Sequence, residues 1–198
     1  FAPMGYSTYF GDSPSYNTQD THFVKIRNGS RFAFGAPSGN TNDFCIEVWV
    51  YPINPSTSHS NFIWDFRGDN SSNPALMLWY NYAGALYLQR AGSGFASGQN
   101  GSLRFLEWNH IAVVRHGSNI NLYANGILVG QETSSTYDFS YDETSTDDEV
   151  YLGRGTPAQG LTNDGRFEGY MNDFRVVRGS AVYTAEFTPP TAPLETID

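Results

Sequence analysis

Residues 44–52 read Phe-Cys-Ile-Glu-Val-Trp-Val-Tyr-Pro, a run in which every second side chain is purely apolar. One set consists of Phe44, Ile46, Val48 and Val50, and the other consists of Cys45, Glu47, Trp49 and Tyr51. A period of two is the spacing of a β-strand, whose successive side chains point to opposite faces of a sheet. Proline lacks the N–H that a central strand needs, so the strand is predicted to end at Pro52.

Two hairpins are predicted downstream of this strand. Residues 120–124 and 127–130 flank Asn125-Gly126, the dipeptide that most strongly indicates a tight hairpin turn. Residues 76–82 and 85–90 flank Ala83-Gly84 in the same way. Further strands are predicted at 111–115, 150–153 and 169–177, and loops at 53–61, 67–74, 91–102, 132–149 and 155–166. Because no segment has the period of an amphipathic helix, the pattern predicts an all-β sandwich or barrel.

The composition excludes several classes of partner. The net charge is −9, and only 16% of the residues are charged. Phosphate binding needs clustered Lys and Arg, so we expect no nucleic-acid partner. No stretch approaches the roughly 18 apolar residues of a spanning helix, so we expect no membrane insertion. The single cysteine, Cys45, lies in an apolar run and is predicted to be a buried thiol.

The length of 198 residues suits one large β-domain, predicted to span residues 1–198. Residues 187–198 are dense in proline and are predicted to form a closing edge segment or a linker. The sequence contains no internal repeat that would indicate a further division.

Several segments in order resemble the laminin-G-like domain of the concanavalin A-like lectin/glucanase superfamily. The segments that carry the resemblance are 7–12, 44–52, 108–126, 150–154 and 167–175. The ending Val182–Pro193 is similar to endings of this module in phage tail and virion proteins. The resemblance implies a jelly roll of two antiparallel sheets that binds carbohydrate or protein ligands, often with calcium. A fold of this kind does not by itself establish function.

Catalysis is not expected. The glucanases of this superfamily carry two Glu with an intervening Asp, alternating on one strand. Glu47 is followed two positions later by Trp49, and no other strand has the required spacing. The sequence therefore predicts no enzyme and no catalytic residue. Glu47 and Arg175 are charges within predicted strands, and we expect them to form an ion pair.

The resemblance implies a calcium site near Asp12 and the pair Asn172-Asp173. Calcium takes six to eight oxygen ligands from carboxylates, amides and backbone carbonyls. The alternative is that these carboxylates are satisfied by backbone amides or by Arg175. The acidic segment 138–149 is a second candidate, and its alternative is a solvated loop.

Aromatic side chains supply the candidate ligand site. Trp79 and Tyr82 lie on one predicted hairpin, together with Tyr80 and Tyr87. Tyr137 and Tyr141 alternate with Phe139, and Asp142 follows them. Such rings can form a platform for a sugar, with Asn, Asp or Arg beside it. The alternative is packing in the core or across strands.

We therefore expect a non-catalytic adhesion or structural module on a virion surface or phage tail, or in another extracellular place. Its expected partners are host cell-surface glycan or other virion and tail proteins. It can also form a homo-oligomer through its sheet edges or its proline-rich end. The alternative is a carbohydrate-binding module of a secreted bacterial enzyme or adhesin.

Overall fold

Two antiparallel β-sheets form the protein, so the predicted all-β sandwich is confirmed. The structure is a computed structural model. It describes residues 7–11, 22–36, 42–53, 55, 57, 60–68, 74–91, 93–140, 149–156 and 165–196. Strands are numbered in chain order. Sheet A contains, in spatial order, β1 (Thr8–Phe10), β12 (Gly169–Arg178), β3 (Phe44–Pro52), β8 (Asn109–His116), β9 (Asn119–Ala124) and β10 (Ile127–Glu132). Sheet B contains β2 (Val24–Arg27), β11 (Glu149–Leu152), β4 (Asn61–Asp65), β5 (Leu76–Tyr80), β6 (Leu86–Arg90) and β7 (Ser93–Ser97).

The main core lies between the two sheets. The alternating apolar set predicted on β3 is fully buried in it. Sheet B contributes Trp64, Leu76 and Leu78 to the same core. Each such side chain contributes about 1.5–3 kcal/mol by leaving water, which makes this layer the main source of stability. Within the described residues, the one helix is a short 3-10 helix at Gly29–Phe32, and no helix has the length and apolar character needed to cross a bilayer.

The predicted Asn125-Gly126 hairpin is confirmed between β9 and β10. Both residues have positive φ, 53° and 79°, as a type I′ turn requires. A side chain at Gly126 would also collide with the backbone of Phe187, a residue of the C-terminal segment. Glycine is therefore needed here both for the turn and for close packing.

The predicted loop 91–102 is wrong in part, because Ser93–Ser97 forms strand β7 at the edge of sheet B. Its sequence, Ser-Gly-Phe-Ala-Ser, contains mostly small residues of low strand propensity. Backbone pairing with β6 fixes this strand, and a register shift lies between Leu88 and Gln89. Strands β2 and β4 were likewise not predicted.

The C-terminal segment from 179 to 196, here called the C-terminal strap, crosses the outer face of sheet A without forming a strand. It seals a second apolar cluster on that face. Strap residues Ala181, Val182, Tyr183 and Phe187 pack against Cys45, Ala112, Val114, Tyr123 and Val177. The proline residues of the strap lack backbone N–H groups, so no sheet ladder holds it. Side-chain packing holds it instead, together with a hydrogen bond of 3.0 Å from the N–H of Phe187 to the carbonyl of Gly126.

Candidate functional site

The hairpin of β5 and β6 places an aromatic pair on the outer face of sheet B. Trp79 and Tyr87 are directly opposite each other in the strand register. Their rings stack with centroids 4.1 Å apart and an angle of 14°. Both are half-buried, whereas Leu78 and Tyr80 on either side of Trp79 point into the core. The alternation of the strand therefore presents one indole and one phenol to the outside as a unit.

Asn81 organises the turn beside this pair. Its Oδ1 accepts hydrogen bonds from the N–H groups of Ala83 and Ala85, both at 2.9 Å. Its Nδ2 donates to the hydroxyl of Tyr87 at 3.3 Å. One amide thus fixes both the turn and the position of the phenol ring.

Tyr82 stands at the tip of the same turn, and 60% of it is exposed. Trp79, Tyr82 and Tyr87, together with Asn81, which donates to the hydroxyl of Tyr87, are here called the hairpin patch. Two predicted ligand residues, Trp79 and Tyr82, therefore lie on one short hairpin, whereas Tyr80, singled out with them, is in the core. Tyr87 completes the patch, and its place follows from the cross-strand register.

Tyr137 occupies a different part of the fold. Its ring packs against Phe95 with centroids 5.1 Å apart, and the guanidinium of Arg90 lies 4.5 Å above it. Phe139, two residues on, is fully buried in the main core. Among the contacts of the described residues, none joins Tyr137 to the hairpin patch. Tyr141 and Asp142, also predicted for this site, lie outside the described residues.

The candidate calcium residues Asn172 and Asp173 lie at an irregularity of β12, where the register against β3 shifts. Asp173 has a φ of 51°, the left-handed conformation of a bulge residue. Its Oδ2 and the Nδ2 of Asn172 are buried without a hydrogen-bond partner among the described residues. Those residues contain no group of three or more His, Cys, Asp or Glu that could hold a metal. The third predicted residue, Asp12, lies outside them.

The ion pair predicted between Glu47 and Arg175 is confirmed, on the outer face of sheet A. Nε of Arg175 donates to Oε1 of Glu47 at 2.8 Å. On the other carboxylate oxygen, Nε2 of His110 lies at 3.0 Å and the hydroxyl of Tyr183 donates at 2.9 Å. Glu47 is 0% exposed, because the C-terminal strap covers it. No local sequence pattern indicates that Tyr183, a residue of the strap, binds Glu47.

Burial alone would raise the pKa of Glu47. The hydrogen bonds from His110, Arg175 and Tyr183 outweigh burial and hold that pKa below its ordinary value of 4.5. Glu47 is therefore a saturated, ionised acceptor sealed from solvent. A carboxylate of this kind stabilises the strap and has no route to a substrate.

The two six-stranded antiparallel sheets form a sandwich of the laminin G-like jelly-roll type. Residues 27–183 match the family model Laminin_G_3, described as the concanavalin A-like lectin/glucanases superfamily. The chain belongs to that superfamily, as its segments predicted. No curated protein matches the chain.

Three solved structures illustrate the likeness in fold. A candidate carbohydrate-binding protein from Bacteroides ovatus has a TM-score of 0.63 at 16% identity, covering 96% of this chain and 47% of its own. The CBM40 module of the Ruminococcus gnavus IT-sialidase, bound to α2,3-sialyllactose, has a TM-score of 0.55 at 16% identity, with coverages of 82% and 92%. Domain 4 of the GH43 extracellular arabinanase AbnA from Geobacillus stearothermophilus, in complex with arabinotriose, has a TM-score of 0.53 at 14% identity, with coverages of 90% and 78%. This chain spans about half the length of the Bacteroides ovatus chain.

Proposed function

We propose that this protein is a non-catalytic carbohydrate-binding module and that the hairpin patch is its ligand site. The observation that carries the proposal is the stacked pair of Trp79 and Tyr87 on an outer sheet face, held by Asn81 beside the exposed Tyr82. Aromatic faces contact the C–H faces of sugar rings, and the phenol hydroxyls supply polar contacts. The arabinanase domain and the sialidase module bind saccharides on sandwiches of the same fold, which supports the assignment.

The setting that we propose is the surface of a virion or phage tail, where the module attaches to host glycan. The strap supports this setting, because its sequence is similar to endings of the module in phage tail and virion proteins. Other virion or tail proteins, and further copies of this chain, are the proposed protein partners. Identifying the chain beside the particle's structural proteins by mass spectrometry of purified virions would test this setting.

The alternative is a carbohydrate-binding module of a secreted bacterial enzyme or adhesin. Two of the similar structures are modules of glycan-degrading enzymes, which favours this alternative. A catalytic domain encoded in the same reading frame would support it and would contradict the virion setting.

A calcium site at Asp173 would need oxygen donors in addition to those of the described residues. Asp173 offers one buried carboxylate oxygen, and a calcium ion needs six to eight oxygen ligands. We propose that an ion held here takes a further carboxylate from Asp12. Isothermal titration with calcium, repeated on Asp173→Asn, tests this step, and equal binding by the two proteins would contradict it.

The glycan proposal is tested by screening the intact chain on a glycan array with and without a calcium chelator. We expect selective binding that Trp79→Ala weakens. The matched control is Ile127→Ala, because Ile127 is an exposed apolar residue on sheet A, away from the patch. An array on which the wild-type chain binds nothing would overturn the proposal.

A further inference from the structure

We propose a second saccharide-binding site, at the open edge of the sandwich, where a cavity between β1 and β2 adjoins an aromatic row on sheet A. The inference rests on the proposed carbohydrate-binding function for its ligand class. It concerns a different surface from the hairpin patch, on the opposite sheet.

Four aromatic residues form the row. Strand register places Tyr9 opposite Tyr170, and Tyr170 opposite Tyr51. Trp108, just before β8, continues the line. Successive ring centroids are 5.1, 6.1 and 5.6 Å apart, each pair tilted or edge-to-face. Four neighbouring strands are involved, so the row extends over roughly 14 Å, three strand spacings.

The C-terminal strap leaves this row accessible. Strap side chains pack further along the same face, on Glu47, His110 and Tyr123. Tyr9 and Tyr170 are 46% and 37% exposed, whereas Tyr123 under the strap is 1% exposed. The outer face of sheet A is thus divided into a sealed part and an open aromatic part. Large exposed aromatic residues that follow one another on a surface indicate a binding site.

A cavity of about 390 Å³ lies at the Tyr9 end of the row. Its lining consists of Thr8, Tyr9, Phe10, His22, Phe23 and Val24. Nδ1 of His22 accepts a hydrogen bond from the N–H of Gly11 at 3.4 Å, which leaves Nε2 to carry the ring hydrogen. Apolar walls with a few polar groups, in a volume of a few hundred Å³, are the usual form of a small-ligand site.

The chemistry of the lining selects a neutral saccharide. No Asp, Glu, Lys or Arg lines the cavity or belongs to the row, and the guanidinium of Arg154 beside the lining packs 4.9 Å from the ring centroid of Phe23. The available polar groups are a threonine hydroxyl, phenol hydroxyls, an imidazole N–H and an indole N–H. The net charge of −9 further disfavours an acidic sugar. We infer a neutral oligosaccharide with one unit in the cavity and the following units along the row.

Two sites on opposite sheets would make one copy of the module bivalent. On a glycan-coated surface the second contact then forms at a high effective concentration, so avidity exceeds either single affinity. The test is isothermal titration of the full chain with the neutral trisaccharides arabinotriose, cellotriose and maltotriose. We expect two binding events for at least one of them.

The variants Tyr9→Ala and Tyr170→Ala should weaken one event by about tenfold, the loss of one ring contact, and leave the other unchanged. Trp79→Ala should do the reverse. A Trp79→Ala protein that keeps both binding events, one of them weakened by Tyr170→Ala, would support the edge site and contradict the hairpin patch. Binding that Trp79→Ala abolishes and that Tyr9→Ala and Tyr170→Ala leave intact would overturn the edge site alone. A wild-type chain that binds none of the three sugars would overturn the edge site.

A measurement on the wild-type chain tests the edge site without relying on variants, whose weaker binding could result from misfolding. The indole N–H signal of Trp108 in an NMR spectrum, assigned with Trp108→Phe, should shift during titration with the bound trisaccharide. A signal that stays fixed while the sugar binds would overturn the proposal. A dimeric wild type that becomes monomeric in Tyr170→Ala would also overturn it, because the row would then be covered by another copy.

Discussion

Tyr183 donates a hydrogen bond of 2.9 Å to Glu47, a residue 136 positions earlier in the chain. The acceptor is fully buried and also binds Arg175 and His110. Tyr183 and Phe187 stack on each other with centroids 3.6 Å apart above the same face. The proline-rich strap is therefore anchored to the sandwich by a specific polar contact as well as by apolar packing.

Removing the anchoring hydroxyl should destabilise the protein. We expect Tyr183→Phe to lose about 1.5–3 kcal/mol of unfolding free energy, the range for a hydrogen bond to a charged group. Urea denaturation measures the change. The matched control is Tyr82→Phe, because Tyr82 is exposed at the hairpin tip and should leave the midpoint unchanged. Equal midpoints for both variants would contradict the anchoring role.

Removing the guanidinium beside Glu47 should lower the unfolding free energy by more than removing the Tyr183 hydroxyl does. Arg175→Met leaves a buried carboxylate without its ion-pair partner, and we expect a loss of about 3 kcal/mol. Thermal and urea unfolding both report the change. The double variant Glu47→Met with Arg175→Met should recover part of the loss, because no unpaired charge then remains. A double variant less stable than Arg175→Met would contradict this reasoning.

The contribution of Glu47 to the unfolding free energy should depend on pH. Its pKa is lower in the folded chain than its ordinary value of 4.5, so the unfolded chain binds more protons in this range. The contribution is therefore complete above about pH 4.5 and is lost as pH falls through the folded pKa. The difference in unfolding free energy between wild type and Glu47→Gln, measured from pH 7 to pH 3, should shrink accordingly. A difference that grows on acidification would show the opposite sign.

Cys45 should be unreactive in the folded chain. Burial, with the neighbouring Glu47, raises the pKa of this thiol well above its ordinary value. The residue lies in the cluster that the strap seals. We expect no reaction with a thiol reagent at pH 8 until urea unfolds the chain, and faster labelling in Tyr183→Phe. Labelling of the native wild type at the rate of a free thiol would mean that the strap is open in solution.

The local features were predictable because they depend on neighbouring residues. The alternation in β3 and the Asn125-Gly126 turn determine their own structure within a few positions. Strand β4 was missed because all of its residues, Asn61–Asp65, are buried, so it shows no alternation. Strand β7 was missed because its place depends on pairing with β6 and not on its own small side chains.

The candidate sites likewise differ in how much of each could be predicted from the sequence. Trp79, Tyr82 and Tyr87 lie on one short predicted hairpin, so the aromatic residues of the hairpin patch could be found from the sequence, and the strand register then pairs Trp79 with Tyr87. The row that includes Tyr9 and Tyr170 brings together residues from opposite ends of the chain, and only the sheet order reveals it. Phe139, which alternates with Tyr137 and Tyr141 in the sequence, is instead buried in the core. Alternation alone does not indicate which side of a segment faces solvent.

The position of β12 between β1 and β3 has a consequence for synthesis on the ribosome. Until residues 169–178 have emerged, the edge of β3 that β12 will occupy has no partner. An open edge of this kind pairs readily with other chains, so a nascent or prematurely terminated chain is prone to aggregate. Completion of sheet A therefore waits for β12, and this edge of β3 stays open while the residues between the two strands are being made.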